Sequence, residues 1–483
     1  MRQSPHFLSI AARRSLLALP LLLLNACSTN PSGPTSASSV AVPSQWRQSA
    51  ADAGPLDPAS LARWWTRFDD PVLDRLIDGA LVNSPDVRTA LSKIAESRAV
   101  RATTKASLFP SLSAGVSGAS TRTHNRNTGV TSTSESYGAS LDASWEVDLF
   151  GKQLQTLSAA DADLAQTAEN FHAAQVSLAA EIASAYVTLR SAEARLAVVR
   201  SSLATREETL DLTRWREQAG TGAALDTLQA NTSLEQTRSS IPALEQTAAQ
   251  TRNQLALLSG LAPGALDTLL SSKTALPDIP ATLATGIPAD TLRQRPDVRA
   301  AEYAVKAAAA RTSSARRERL PSLTLGGSLG VEALKAGRLF NPDSVTASVL
   351  GGLTAPIFDA GRIRQTIIVQ TEQEKQALIA YESSVLSALS EVENALIAVS
   401  RTSETLAALQ KAASSAREAQ ALAALQYKAG TIDLLSLLDT QRTTLSLEEQ
   451  VVSTRADQIS AHIQLYKSLG GGWSPVKTAS NAP

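Results

Sequence analysis

The stretch Gly151–Gly220, GKQLQTLSAADADLAQTAENFHAAQVSLAAEIASAYVTLRSAEARLAVVRSSLATREETLDLTRWREQAG, decides the fold, because the 68 residues between its two end glycines contain no glycine and no proline. A second block of the same length, Gly361–Gly430, lies 210 residues further along the chain. Another glycine follows each block after 40 positions, Gly260 in one half and Gly470 in the other. Glycine and proline end helices, so each half is predicted to form a very long helix, a tight turn and a shorter return helix.

The duplication extends beyond these two blocks. The motif NSPDVR at 83–88 is echoed by QRPDVR at 294–299, and FPSLS at 109–113 by LPSLT at 320–324. An offset that stays at 210 to 211 residues indicates one supersecondary unit used twice. The two copies are therefore expected to have similar structures.

Each copy is predicted to contain a strand hairpin followed by a long helix and a return helix. The first repeat, 61–260, is expected to have strands at about 112–120 and 139–149, a long helix at 152–219 and a return helix at 223–259. The second repeat, 296–473, is expected to have strands at about 322–331 and 347–357, a long helix at 362–429 and a return helix at 432–469. Residues 261–295 would link the two repeats.

The long blocks also carry a coiled-coil pattern. Alternate steps of three and four residues through 154–203 meet fifteen positions, and thirteen of them are apolar. Pro242 predicts a kink in the first return helix, and the second copy has no proline there. Upstream of each rod a further helix is expected, and the first of these would begin with Ser84 as its cap and Pro85 at its first position.

The strand segments alternate between apolar and polar residues. From Ala139 to Leu149, eleven residues alternate in this way, which suits a strand that crosses a bilayer with one face to lipid and one to water. A single segment of this kind would equally suit an ordinary half-buried hairpin. Two equivalent hairpins favour the membrane, in a chain whose N-terminus, described next, resembles a lipoprotein signal peptide. Four strands cannot close a barrel, so other copies of the chain would have to complete it.

The N-terminus has the features of a secretory signal peptide over residues 1–26. Arg2, Arg13 and Arg14 supply its positive charge, and an apolar run covers 16–24. Cys27, the only cysteine, follows Leu-Asn-Ala and resembles the lipidated cysteine of a bacterial lipobox, which would carry diacylglycerol and an N-acyl chain. The alternative is a chance free cysteine in an ordinary signal peptide. Residues 27–60 are expected to form a lipidated tether, and 474–483 a disordered tail.

Composition excludes several classes of protein. The net charge is zero and the basic residues are spread along the helices, which argues against nucleic-acid binding. His124, His172 and His462 lie far apart in the sequence and have no metal-ligand spacing. We therefore predict no enzymatic activity, no metal and no cofactor other than the covalent lipid.

The ordered set of these features resembles the TolC-like outer membrane factor family, in its lipoprotein branch similar to OprM. The resemblance rests on the duplicated order of strand hairpin and helix hairpin, and on the turn motifs QAGT at 218–221 and YKAGT at 427–431. It implies a mainly α fold with transmembrane β-strands. Three chains would each give four strands to a twelve-stranded barrel in the outer membrane, which a helical barrel would continue across the periplasm, with 61–83, 261–295 and the C-terminal segment as a belt around its middle.

The implied function is that of a passive exit duct. A periplasmic adaptor would dock the homotrimer to an inner membrane pump, which supplies the energy. The duct of a type I protein secretion system would have the same form, and a lipid-anchored coiled-coil scaffold without a pore is the alternative from another class. The sequence does not identify the cargo, because selection occurs at the pump.

The resemblance also implies docking residues at the turns. In this family the glycine turns at the periplasmic tips meet the adaptor, which assigns that role to five residues: Gly220, Thr221, Gly222, Gly430 and Thr431. The alternative is that these glycines only permit the turn.

A gate is implied close to these turns. Tyr427 matches the family's latch tyrosine, Asp226 its aspartate partner, and Asp439 an aspartate of the acidic ring, where a ring of carboxylates would favour cations. Two positions depart from the family pattern, since Ile432 replaces a latch arginine and Ser436 a second ring aspartate. The nearby Asp433 is either part of this acidic constriction or a solvated turn residue.

Overall fold

The computed structural model describes residues 41–47, 61–271, 275–279 and 288–473, and every structural statement below refers to these. The predicted signal peptide, the lipidated Cys27, most of the tether and the C-terminal tail lie outside the described residues. The described part is mostly helical, with one four-stranded sheet.

The first repeat opens with a short 3-10 helix, Trp64–Phe68, and two helices that lead into the sheet. Its elements in chain order are α1 (Pro71–Asn83), α2 (Pro85–Ala106), β1 (Ser111–His124), β2 (Thr131–Val147), α3 (Lys152–Gln218), α4 (Ala224–Ser239) and α5 (Ile241–Leu258). The linker contains α6 (Asp267–Leu270) and α7 (Pro288–Gln294). The second repeat comprises α8 (Pro296–Arg317), β3 (Ser322–Ala333), β4 (Val345–Thr354), α9 (Arg362–Ala429) and α10 (Leu434–Ser468).

The two return helices differ. The predicted single return helix at 223–259 is two helices in the structure, α4 and α5, which are separated at Ser240. Pro242 stands in the first turn of α5, where its missing N–H costs nothing, and this agrees with the predicted kink. The second copy, without proline, forms the unbroken α10. Ser84 is the N-cap residue of α2 and Pro85 its first residue, as predicted, although the Ser84 side chain makes no capping hydrogen bond.

The first hairpin is longer than the alternation indicated. Antiparallel pairing runs from Ser111 opposite Ser144 to His124 opposite Thr131. Strand β2 therefore starts at Thr131, eight residues before the start at 139 that the apolar alternation predicts. The added part is rich in serine and threonine on both faces. Such a segment cannot be predicted from alternating hydrophobicity, because both of its faces are polar. Backbone pairing and β-branched threonines stabilise it as a strand.

The coiled-coil seam of α3 is buried in its middle. Leu178, Ile182, Leu189 and Val199 are buried, whereas Leu154, near the sheet, is 55% exposed in the single chain. Over its whole length α3 packs against α1, α2, α4, α5, α8 and α10. The apolar stripe is therefore buried within this chain over its centre and mostly half-buried towards the sheet.

The largest core lies where the 3-10 helix meets α3 and α10. Trp64, Phe68 and Tyr466 are buried there, and the Trp64 and Tyr466 rings stack with centroids 5.5 Å apart. Gly471 closes this core, because a Cβ at that position would lie 2.9 Å from the Trp64 ring and 3.0 Å from the Leu61 and Tyr466 carbonyl oxygens. The C-terminal end of the second repeat thus packs against the start of the first.

A buried arginine ties α3 to the linker. The Arg190 side chain is fully buried, donates to the Leu270 carbonyl oxygen at 2.9 Å, and pairs with Glu193 at 2.6 Å. Its guanidinium carbon lies 4.7 Å from the centroid of the Tyr186 ring. Glu193 also accepts from Arg252 of α5 at 2.7 Å, so one carboxylate joins two helices.

Candidate functional site

The candidate site is the pair of turns at one end of the long helices. Gly220 and Gly430 both adopt positive φ, 73° and 77°, which favours glycine. The N–H of the following threonine donates back into the helix in each turn, Thr221 to the Arg216 carbonyl and Thr431 to the Gln426 carbonyl, both at 2.9 Å. Each threonine hydroxyl donates to the same carbonyl oxygen as its N–H, at 3.2 Å and 3.0 Å. The two turns are therefore built alike, as helix C-caps with a glycine in the left-handed conformation.

The first turn has a second constrained glycine. The Gly222 N–H donates to the Arg216 carbonyl at 3.0 Å. A Cβ on Gly222 would lie 3.0 Å from Arg216 Cβ and 3.3 Å from the Glu217 nitrogen. By contrast, no atom lies within 4 Å of a Cβ built on Gly220 or Gly430. Gly222 is thus required by close packing, while the other two are required by φ and leave open space beside them.

Arg216 joins the two turns. Its Nη2 donates to the Tyr427 carbonyl at 2.7 Å and to the Lys428 carbonyl at 3.2 Å. The guanidinium also lies over the Tyr427 ring, 4.5 Å from the centroid. These carbonyls belong to the C-terminal end of α9, where the helix dipole is negative and favours a cation. Sequence reasoning missed Arg216, and its only signal was a basic residue in the last helical turn.

Tyr427 is anchored inside its own chain. Its side chain is 3% exposed and belongs to a small apolar cluster between the ends of the four tip helices. The cluster contains Leu210, Ala230, Leu234, Ala423, Leu434 and Leu437, with Ile432 packed against it. Ile432, at the position of the family's latch arginine, therefore has a packing role in this chain.

Asp226 lies in the first turn of α4 and is half-buried. Within the described residues of one chain, no hydrogen bond joins its carboxylate to the Tyr427 hydroxyl. The two predicted latch residues share the same end of the helices but are not brought into contact by this chain alone. Their pairing stays a prediction.

Asp439 lies in the second turn of α10. Its carboxylate is 63% exposed and pairs with Arg442 of the same helix, Nη2 to Oδ1 at 2.5 Å. Exposed pairs of this kind contribute little, about 0–1 kcal/mol. The place of this carboxylate in an acidic ring stays a prediction.

Asp433 is the N-cap of α10. Its Oδ1 accepts from the Ser436 N–H at 2.9 Å. Hydrogen bonds from the Ser436 hydroxyl and backbone hold the pKa of the Asp433 carboxyl below its usual value. Of the two open alternatives for Asp433, the structure favours the turn residue, and Ser436 at the second ring position takes part in the same cap.

The opposite end of the long helices is the junction with the sheet, and both repeats use an aspartate there. Asp148 accepts from the Leu154 N–H at 2.8 Å. Asp359 accepts from the N–H groups of Gly361 and Ile363, at 2.9 Å and 2.7 Å. These equivalent caps fix the point at which strand becomes helix.

The described residues contain no group of three or more His, Cys, Asp or Glu side chains arranged to hold a metal ion. In the same part of the chain, no helix combines the length and hydropathy needed to cross a membrane.

The helix-hairpin tips, the paired sheet and the duplicated order together define a class of outer membrane channels. A model of the family described as "Outer membrane efflux protein" matches residues 76–261 and 287–471. The chain belongs to this family. It is 32% identical over 469 residues to the pyoverdine export outer membrane protein OpmQ of Pseudomonas putida, covering 95% of this chain and 98% of that protein.

Two further comparisons agree. The toluene efflux pump outer membrane protein TtgC of Pseudomonas putida is 31% identical over 466 residues, 95% of each chain. Among solved structures, the outer-membrane channel OprN matches with a TM-score of 0.85 at 32% identity, over 92% of this chain and 99% of that one. The chain is therefore an outer membrane channel component of an efflux system, with the TolC-family fold, and it extends into the periplasm.

Proposed function

We propose that three copies of this chain form a passive exit duct, with a twelve-stranded barrel in the outer membrane and a helical barrel in the periplasm. The observation that carries the proposal is the pairing of an amphipathic four-stranded sheet at one end of the long helices with two matched glycine turns at the other. Each sheet leaves β1 and β4 with unpaired edges. Unpaired backbone groups in lipid cost several kcal/mol each, about 2–7 kcal/mol, so neighbouring copies must pair them.

The turns serve as the docking surface for a periplasmic adaptor, which connects the duct to an inner membrane pump. Two features support this role: the open space beside Gly220 and Gly430, and the exposure of Thr221 and Thr431. The duct has no catalytic role, since energy and substrate choice belong to the pump. The names of two relatives refer to pyoverdine export and to toluene efflux. We propose small molecules of this range, rather than secreted proteins, as the cargo of this chain.

A photo-crosslinking amino acid at Thr221 tests docking. In cells that produce the chain with its partners, Thr221 should crosslink to a periplasmic adaptor identified by mass spectrometry. The matched control is the same amino acid at exposed Gln236 on α4, far from the turn. A trimer that crosslinks to no adaptor from Thr221, or equally from both positions, would contradict docking at the turns. Failure to form a trimer would contradict the duct itself. That result would favour the alternative, a coiled-coil scaffold without a pore.

The gate consists of Tyr427, Asp226 and Asp439, and Asp439 forms its acidic ring. We expect Asp439→Asn to raise single-channel conductance or weaken block by multivalent cations in planar bilayers, because it removes one carboxylate per chain from the constriction. The matched control is Glu404→Gln on α9, which also removes an exposed acid paired with an arginine three residues away. Unchanged conductance and unchanged block in the Asp439 variant would remove this residue from the gate.

The anchor is a lipid on Cys27. Replacing Cys27 by serine should abolish labelling by radioactive palmitate, because serine has no thiol for the lipid to join. The sheet should still insert, so the protein should remain in the outer membrane fraction. A serine variant that still takes up the label would overturn the lipid assignment.

A further inference from the structure

The strand register gives the sheet two distinct faces. Residues directly opposite one another in a sheet point to the same side, and neighbours along a strand point to opposite sides. One row across the sheet pairs Ala114, Leu141, Leu329 and Ala347, and the row beside it pairs Ser113, Asp142, Ser328 and Ser348. The alternation predicted along one strand is thus continuous across all four.

The apolar face has the composition of a lipid-facing surface. Its further rows join Val116, Ala139, Val331 and Val345, and then Leu112, Ala143, Gly327 and Val349. Val116 and Val349 are 87% and 91% exposed in the single chain, so no part of the described chain covers this face. Since the chain resides in the outer membrane, lipid covers this face and the polar face lines the interior.

The polar face carries only acidic charges. Serine, threonine and glycine make up most of it, and its charged members in the four strands are Asp142, Glu146 and Glu332. The strands contain a single arginine and no lysine. This residue, Arg122, alternates onto the apolar face and lies near the end of β1, beyond the apolar rows. No arginine or lysine of the strands therefore balances the acids on the polar face.

Asp142 is the acid at the level of the apolar rows. Its Oδ2 accepts from the Ser140 hydroxyl at 2.7 Å, and its carbonyl accepts from the Ser113 hydroxyl at 3.3 Å. Ser328 stands directly opposite on β3. The side chain is exposed and has no ion pair among the described residues. Glu146 differs, because Lys152 Nζ lies 3.7 Å from its carboxylate.

We propose that Asp142 makes the strand-lined section of the duct selective for cations over anions. This inference rests on the proposed function, since closure of the barrel by three copies places three Asp142 carboxylates at one depth. Lipid on the outer side has a low dielectric constant and concentrates their field into the aqueous interior. A ring of carboxylates in a pore attracts cations and repels anions.

The test measures the reversal potential of single channels under a KCl gradient in planar bilayers, with the purified full chain. Asp142→Asn should lower the ratio of K⁺ to Cl⁻ permeability. Asparagine still accepts the hydrogen bond from Ser140, so the strand should fold as before. Glu135→Gln is the matched control, because Glu135 is an exposed acid of the same strand that alternates onto the opposite, apolar face. It should leave the permeability ratio unchanged.

Each variant is also measured in the Asp439→Asn background, so that carboxylates near the periplasmic tip do not mask the strand section. An unchanged ratio for Asp142→Asn in both backgrounds would overturn the assignment of Asp142. An equal fall in the ratio for Glu135→Gln would overturn the assignment of the two faces. Absence of any conductance from the unaltered protein would instead contradict the duct, so failures of the two proposals are distinguishable.

Discussion

Replacement of Arg216 by alanine is expected to open the periplasmic tip. The change removes two hydrogen bonds to the end of α9, at 2.7 Å and 3.2 Å, and the contact with the Tyr427 ring. Hydrogen bonds from charged groups contribute about 1.5–3 kcal/mol each, and an exposed cation–π contact about 0.5–1 kcal/mol. Because Arg216 is half-buried and water replaces part of this, we expect the contact between the two turns to lose about 2 kcal/mol.

The readouts are single-channel conductance and sensitivity to a large antibiotic that the outer membrane normally excludes. Both should rise in the Arg216→Ala variant. Arg214→Ala is the matched control, because Arg214 lies on the same helix in an exposed pair with Asp211 at 3.7 Å. Arg216→Lys keeps the charge but not the forked geometry, and should give an intermediate result. A closed, fully resistant Arg216→Ala channel would show that this residue does not hold the tips together.

Replacement of Arg190 by methionine is expected to destabilise the middle of the molecule. Methionine retains the apolar stem, but the Leu270 carbonyl loses its donor and Glu193 loses one of its two arginines. Removing one partner of a buried pair costs about 3–5 kcal/mol, and the remaining Arg252 contact should reduce this to about 2–3 kcal/mol.

Thermal unfolding in detergent measures the effect. Arg200→Met is the control, because Arg200 also belongs to α3 and pairs with Glu245 at 2.8 Å, but both side chains are more than half exposed. Arg190→Met should lower the unfolding temperature clearly, and Arg200→Met hardly at all. Equal shifts would mean that burial does not strengthen the Arg190 contacts.

The long helices could be predicted because a glycine stands at each of their four ends. Gly151 and Gly361 precede α3 and α9, and Gly220 and Gly430 follow them, all with positive φ. Positive φ is a local backbone requirement that favours glycine, so the glycine itself marks the position in the sequence. The outer part of β2 was missed for the opposite reason, since paired polar residues leave no alternation in hydrophobicity.

The candidate site was predictable only in part. The turns follow from glycine and could be located, but Arg216 could not, because its partners are backbone carbonyls 211 and 212 positions away. A carbonyl acceptor leaves no trace in residue identity. The role of Asp433 was open for a related reason, since a cap and a pore carboxylate require the same side chain.

Single-particle cryo-electron microscopy of the purified full chain in lipid nanodiscs tests the central claim most directly. The account predicts three copies around one axis, with β4 of each copy paired to β1 of the next. Leu141 and Leu329 should face lipid, Asp142 should face the lumen, and Gly220 and Gly430 should lie together at the far end. A particle in which the sheets stay open, or in which Asp142 faces lipid, would contradict it.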